Sequence, residues 1–420
     1  MSQTADARST FQPPPRTGPL VGLKVVELGH YIAGPFCTRI LADLGAEVIK
    51  VEPPGGDPFR GWGAMANGNS VWFSVQGRNK LSIELDLKKE REVALRLAAR
   101  ADVLVENFRA GQLERLGLGP AELHAVNPRL VIARISGYGQ DGPYRDKPAF
   151  GAIGEAMGGI RHLTGHPAGA SDLPPPRAGI SISDDLAGMY AAIGLLSAVW
   201  QRDASGTDRA GTGIGRVIDV NLVDSVFSLM EGMLPEYALD GRIRQPVGAA
   251  IETASPSNTY PCADGKFLCI AGNSDLIFAR LMRAIGRPDL ASEPRFRTNN
   301  DRCDNRIELD ATIAAWTRTL PGAEAERQLE AADVPCSRLF DIADCARDPH
   351  FLARRAILAI DDPLIGATLH PGPAIRLDGD APESTVAWPG PALGAHNGYV
   401  RQILLGEGKD GAPPHLQALG

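Results

Sequence analysis

Residues 186–200 carry only two polar side chains, those of Tyr190 and Ser197. A helix of that composition has no face to offer water, so the pattern predicts a helix buried on all sides inside a layered domain with a large core. The segment entering it, Gly179-Ile180-Ser181-Ile182-Ser183-Asp184-Asp185, brings two adjacent carboxylates to the helix start. A carboxylate there sits beside backbone N–H groups that lack helical partners and at the positive end of the helix dipole, and stays ionised without a metal. Ser183, Asp184 or Asp185 could serve as the N-cap. One Asp suffices for that, and the other is then available as a nucleophile toward an activated acyl group, with nearby N–H groups to stabilise the developing oxyanion.

A chain of 420 residues, 44% of them hydrophobic, can bury such a helix and is long enough for two or three domains. The net charge of −7 argues against a nucleic-acid or anionic-membrane partner. No apolar run approaches the roughly 20 residues of a membrane span. Residues 1–19 are polar and Pro-rich and read as a loose tail, not a signal peptide. The six cysteines, Cys37, Cys262, Cys269, Cys303, Cys336 and Cys345, show no zinc-ligand spacing, so they are expected to be reduced and mostly buried. These features predict a cytoplasmic protein with no structural metal and no permanently bound cofactor.

From residue 23 the chain alternates apolar strands with loops and helices. The strand 23–28 is followed by the loop Gly29-His30-Tyr31-Ile32-Ala33-Gly34-Pro35, a helix at 36–44 and a second strand at 46–51 closing on Glu52. Further strands are expected at 83–87, 103–105, 130–135 and 217–220, with a helix at 90–101. This rhythm is that of a parallel, doubly wound α/β sheet, with its sites at the strand carboxyl ends. Glu52 suggests a dinucleotide site, but the first turn lacks Gly-x-Gly-x-x-Gly, which disfavours a nicotinamide cofactor. Residues 223–234 read as a helix, 259–271 as a hairpin turning at Asp264-Gly265, and 276–285 and 306–317 as helices of a smaller α+β domain.

Four strings occur together and in order: 18–57 (GPLVGLKVVELGHYIAGPFCTRILADLGAEVIKVEPPGGD), 101–119 (ADVLVENFRAGQLERLGLG), 135–144 (ISGYGQDGPY) and 181–196 (SISDDLAGMYAAIGLL). On these the chain resembles the family III CoA-transferases, a group that includes formyl-CoA transferase, carnitine CoA-transferase and the divergent α-methylacyl-CoA racemase. The resemblance runs nearly the whole length. It implies a large Rossmann-like domain built from the N-terminal part (20–202) and the C-terminal part (331–406), with a linker at 203–224, a small domain at 225–330 and a tail at 407–420. It also implies a homodimer of interlocked chains.

The family's catalytic carboxylate is an Asp followed four positions later by Gly, which here selects Asp184 with Gly188 over Asp185. The resemblance assigns CoA contacts to His30, Tyr31, Ile32, Ala33, Asn107, Phe108 and Arg115, with Arg115 suited to a phosphate because a guanidinium grips oxygens in pairs. Formyl-CoA transferase has Gln where this chain has Ile32 and Glu where it has Gly151, and its Gly-rich mobile loop is replaced by 247–252, with one Gly. The racemase's His-Asp pair is missing near Phe150, and without a second base α-proton exchange is disfavoured. The strings 147–165 and 255–273 instead resemble the dicarboxylate branch, whose members use succinyl-CoA with malate, citramalate or itaconate or move CoA within mesaconyl-CoA. Phe150 and Gly151 are then substrate-side residues, and Arg161, His162 and Arg177 are candidates for a second carboxylate. The expected activity is CoA transfer from an acyl-CoA to a small, dicarboxylic acid through an aspartyl-CoA thioester. Intramolecular transfer and racemase-like isomerisation are the alternatives.

Overall fold

The structure is a computed structural model that describes residues 12–204, 211–379 and 381–407. Six parallel strands form its main sheet: β1 (Lys24–Glu27), β2 (Glu47–Glu52), β3 (Lys80–Glu84), β4 (Val103–Glu106), β5 (Val131–Ser136) and β6 (Val217–Asn221). Their order is β3-β2-β1-β4-β5-β6. The order reverses between β1 and β4, the point at which doubly wound sheets open a ligand crevice.

Both faces of the sheet are apolar because alternate strand residues serve different cores. Val25, Val48, Val103 and Val131 pack with α1 (Ala33–Asp43) and α4 (Ile182–Asp203) on one face. Val26, Ile49, Leu81, Leu104 and Ile132 pack on the other with α2 (Arg91–Ala98), with Leu113 and Leu123, and with Val400 from the C-terminal part. The C-terminal segment also covers the exposed edge of β3: His396 N donates to Ser82 O at 3.0 Å, and Ser82 N donates to His396 Nδ1 at 2.9 Å. An edge so paired offers no template for another strand.

Several local expectations are corrected. The strand read at 83–87 lies at Lys80–Glu84, because Lys80 and Ser82 face a buried charge cluster while Leu81 and Ile83 enter the core. The single helix read at 223–234 is two, α5 (Leu222–Phe227) and Met233–Asp240, parted where Glu231 takes φ +45°. Only Cys37 and Cys262 of the six cysteines are buried; all are free, and Cys269 points outward from its strand. The helix α4 is not buried on all sides. Ala187, Ala191, Leu195 and Ala198 face the sheet, whereas Met189, Ile193 and Trp200 are 40%, 60% and 68% exposed, since a single chain covers one face. Its 22 residues are long and apolar enough to cross a bilayer, which the run 186–200 alone did not indicate.

The chain divides into two compact units, the second comprising Arg161–Arg177 and Glu231–Asp348. This differs from the 225–330 read from sequence, since the segment carrying Arg161 and Arg177 also belongs to it. It contains the antiparallel strands β7 (Ser257–Pro261), β8 (Phe267–Ala271) and β9 (Cys336–Arg338) around a core of Leu268, Ile270, Phe278, Leu281, Leu309 and Leu329. Asp264-Gly265 turns the β7–β8 hairpin, with Gly265 at φ +77°. The first unit also holds a hairpin the sequence did not signal, β10 (Ile357–Asp362) with β11 (Gly366–Pro371). Arg16 pairs with Glu47 at 3.1 Å, so the N-terminal stretch is fastened from there; residues 1–11 and 408–420 lie outside the described residues.

Candidate active site

The loop after β1 and the turn after β4 are stitched together at the switch point. His30 N donates to Asn107 Oδ1 and Asn107 Nδ2 donates to His30 O, both at 2.8 Å. The Asn107 amide fills the space beside Gly29 and Gly34, where a Cβ would stand 3.1 to 3.3 Å from it, so a side chain at either position would have to push that doubly hydrogen-bonded amide aside. Tyr31 takes φ +60°, a costly conformation for a residue with a Cβ, and is held there by its N–H donating to Asp57 Oδ1 at 3.1 Å.

Beneath the loop lies a buried charge cluster that sequence reasoning missed. Glu27 accepts Lys50 Nζ at 2.6 Å, Lys80 Nζ at 2.9 Å and Thr38 Oγ1 at 2.5 Å. Lys50 also reaches Gly29 O and Asp57, and Lys80 reaches Pro35 O, so both lysines grip the loop backbone. Glu52 accepts Arg60 Nε at 2.7 Å and Ser82 Oγ at 2.6 Å. Three carboxylates and three cations balance here, which is how charge persists inside a core. Burial alone would raise the Glu27 carboxyl, but Lys50 and Lys80 hold it down to about 2. Burial, reinforced by Lys50, lowers His30, which is therefore neutral.

Asp184 reaches the crevice because α4 crosses the first turn of α1 very closely. A Cβ at Gly188 would stand 2.8 Å from Ala33 O and 3.2 Å from Cys37 N, so only Gly permits this approach. Asp184 lies one turn before Gly188 on the same side of the helix, which gives the Asp-x-x-x-Gly spacing its physical meaning. On its other flank α3 (Gly151–Met157) comes up against Ser183, into whose Oγ a Cβ on Gly154 would collide. The helix begins at Ile182 with Ser181 as its cap residue, so neither Asp184 nor Asp185 is the N-cap. Burial pushes the Asp185 carboxyl up to about 6 against the pull of Arg39.

A cavity of about 380 Å³ opens at this place, and its lining includes His30, Tyr31, Ala33, Asn107, Phe108, Phe150 and half-buried Asp184. The ring of Tyr31 meets Phe150 edge-on at 6.0 Å and Trp62 at 5.1 Å, forming an aromatic wall. Ile32 instead turns inward to Phe59 and Phe73. Gly151 is buried at the start of α3. Arg115 is exposed and is not part of this lining; it donates to Gln112 Oε1 at 2.9 Å, with its guanidinium and that of the lining residue Arg145 both near Gly111. Arg161 and Arg177 belong to the second unit. Three cations that line the cavity, Arg109, Arg145 and Lys147, were missed. The available signal was their position, Arg109 directly after Asn107-Phe108 and the other two just behind the loop 136–143.

A carboxylate opening into one cavity with a neutral imidazole, an aromatic wall and clustered cations suits a nucleophile facing a phosphate-bearing acyl donor, and residues 20–397 match CoA-transferase family III. The chain belongs to that family. As a family III CoA-transferase it is 47% identical over 403 residues to the succinyl-CoA–D-citramalate CoA-transferase of Chloroflexus aurantiacus, covering 95% of this chain and 96% of that one. It is 37% identical to the succinyl-CoA–L-malate CoA-transferase beta subunit of the same organism, over 93% of this chain and 95% of that subunit. A crystal structure of a CaiB/BaiF family protein from Brucella suis superposes with a TM-score of 0.77 at 33% identity, covering 92% of this chain and 99% of that one.

Proposed function

We propose that this CoA-transferase moves CoA from succinyl-CoA, or a related dicarboxylyl-CoA, to a small dicarboxylic acid, with Asp184 as the nucleophile. The observation that carries this reading is the opening of Asp184 into the cavity formed by the clamped His30–Ala33 loop and Asn107-Phe108. An Asp184 oxygen attacks the thioester carbonyl, the C–S bond breaks, and a mixed anhydride and CoA thiolate result. The thiolate returns to the Asp184 carbonyl carbon, releasing succinate and leaving an aspartyl-CoA thioester. The acceptor carboxylate then repeats both steps in reverse, so no net proton, electron or water is consumed. A carboxylate is a weak nucleophile, but fixed geometry replaces concentration, an effect worth up to roughly 7 to 11 kcal/mol.

Arg109, Arg145 and Lys147 in the cavity lining, with Arg115 near Arg145 outside it, supply positive charge for the CoA phosphates and the acid's far carboxylate. The citramalate and malate activities of the relatives support the acceptor class. The acting form is proposed to be a cytoplasmic homodimer, an assembly that would cover the exposed apolar face of α4.

Incubation with succinyl-CoA and a panel of citramalate, malate, itaconate, mesaconate, oxalate and formate, read by mass spectrometry of the CoA esters, tests the proposal. A new dicarboxylyl-CoA establishes the reaction and names the acceptor. Succinyl-CoA left unchanged with every acid refutes the dicarboxylate assignment.

A further inference from the structure

Glu106 ends β4 and is fully buried, yet the transfer chemistry makes no use of it. Its two oxygens have different tasks. Oε2 accepts the backbone N–H of Phe108 at 2.7 Å, closing the turn that presents Asn107 and Phe108 to the cavity. Oε1 accepts Arg134 Nε at 2.8 Å. Arg134 lies on β5 immediately before Ile135, Ser136 and Gly137, which line the same cavity. The far side of that guanidinium is held by Glu114, through Nη1 at 2.7 Å and Nη2 at 3.0 Å. One carboxylate therefore joins two strand ends of the site, and Asn107 carries the connection on to His30.

We propose that Glu106 is a positioning residue for CoA binding, setting the turn at Asn107-Phe108 against the end of β5. The inference rests on the reading that this cavity receives an acyl-CoA. The ionised carboxylate accepts on both oxygens with charge-assisted strength. A proton on either oxygen removes that charge and sets an O–H among the donors Phe108 N–H and Arg134, weakening one of the two bonds. Charged groups reach Glu106 from two elements, Arg134 on β5 and Glu114 on the turn 112–115. Burial raises the carboxyl to about 7, with Arg134 and the Phe108 N–H opposing and Glu114 adding to the rise. Glu106 is thus ionised above that value, and CoA affinity is expected to fall as pH drops through it.

The test is calorimetric titration of the full-length protein with coenzyme A at pH about 8 and about 6, one unit either side of the transition, comparing wild type with Glu106→Gln. An amide accepts on one atom only, so the variant should bind CoA about tenfold more weakly at the higher pH, in keeping with the loss of one charge-assisted hydrogen bond. Its affinity should also lose the part of the pH response that wild type shows beyond the titration of CoA itself, a contribution common to both proteins. Turnover at saturating succinyl-CoA should stay within about threefold, because Asp184 is untouched. Should Glu106→Gln not fold, Arg134→Lys, which keeps the charge but cannot span both carboxylates, is expected to weaken CoA binding in the same direction by several-fold. Equal CoA affinity in wild type and variant at the higher pH, or an unchanged pH response, overturns the inference while leaving the transferase reading intact. Wild type that binds no CoA at either pH overturns both.

Discussion

At the scale of single residues, the two adjacent carboxylates of α4 differ in what surrounds them. Asp184 opens into the cavity, whereas Asp185 lies at the seam with α1, near Arg39 and away from the aromatic wall. Asp184→Asn is expected to lower transfer by at least about 10³-fold, the usual scale for a lost nucleophile, with CoA binding retained; near-normal turnover would rule Asp184 out. Asp185→Asn should change turnover little and alter stability instead. Its folded carboxyl titrates at about 6, above the ordinary value of 3.8, so the folded state binds more protons between these values and loses stability as pH rises through them. Removing the charge should therefore stabilise the fold at pH 7 by about 1 to 2 kcal/mol after solvent screening, and not at pH below about 4. Melting curves at the two pH values check the sign. Asp184, His30 and Asn107 were legible in the sequence because each stands in a motif with fixed neighbours. Arg109, Arg145 and Lys147 were not, because a cation in a polar loop reads the same whether it faces solvent or a cavity.

At the scale of elements, the crossing of α1 and α4 determines where Asp184 sits. Gly188→Ala would drive a methyl group into Ala33 O and Cys37 N, both backbone atoms that yield only if the helices part. A loss of about 1 to 3 kcal/mol is expected, with a larger proportional loss of turnover than Asp185→Asn gives. Thermal unfolding and steady-state rates would show it, and a variant with wild-type stability and rate would mean that the crossing is looser than drawn.

The buried charge cluster makes a second claim at this scale. Glu27 ionises at about 2 in the fold against 4.5 in the open chain, so its stabilisation is present above 4.5 and is lost as pH falls through about 2. That is roughly 3 kcal/mol, and Glu27→Gln should destabilise by at least that much at pH 7 while flattening the acid limb of a urea-unfolding series. The strands were legible as short apolar runs, but nothing in those runs marks Glu27, Lys50 and Lys80 as partners of one another, and the strand read at 83–87 begins too late to include Lys80. Their convergence beneath one loop depends on which strands lie side by side, and that is set by tertiary pairing.

At the scale of the whole molecule, the composition of α4 poses a question that one chain does not answer. Its sheet-facing residues are mostly small, Ala187, Ala191 and Ala198 with Leu195, while Met189, Ile193 and Trp200 recur at helical spacing on the open face. Beside them a groove of about 430 Å³ is lined by Phe36, Ile40, Met189, Ile193, Leu196 and Ile375. Contiguous apolar surface of this kind is characteristic of an interface. The sequence showed that the helix needed cover on every side; the parallel sheet and α1 supply it on one, and a second copy of the chain is the proposed source of the rest. Ile193→Arg places a charge in that face, where burial without a partner is strongly unfavourable. Sedimentation velocity should therefore find a dimer for wild type and a monomer for the variant, with secondary structure unchanged by circular dichroism. A wild-type monomer, or a variant that remains dimeric, would place the interface elsewhere and leave this face of α4 to be explained by another partner.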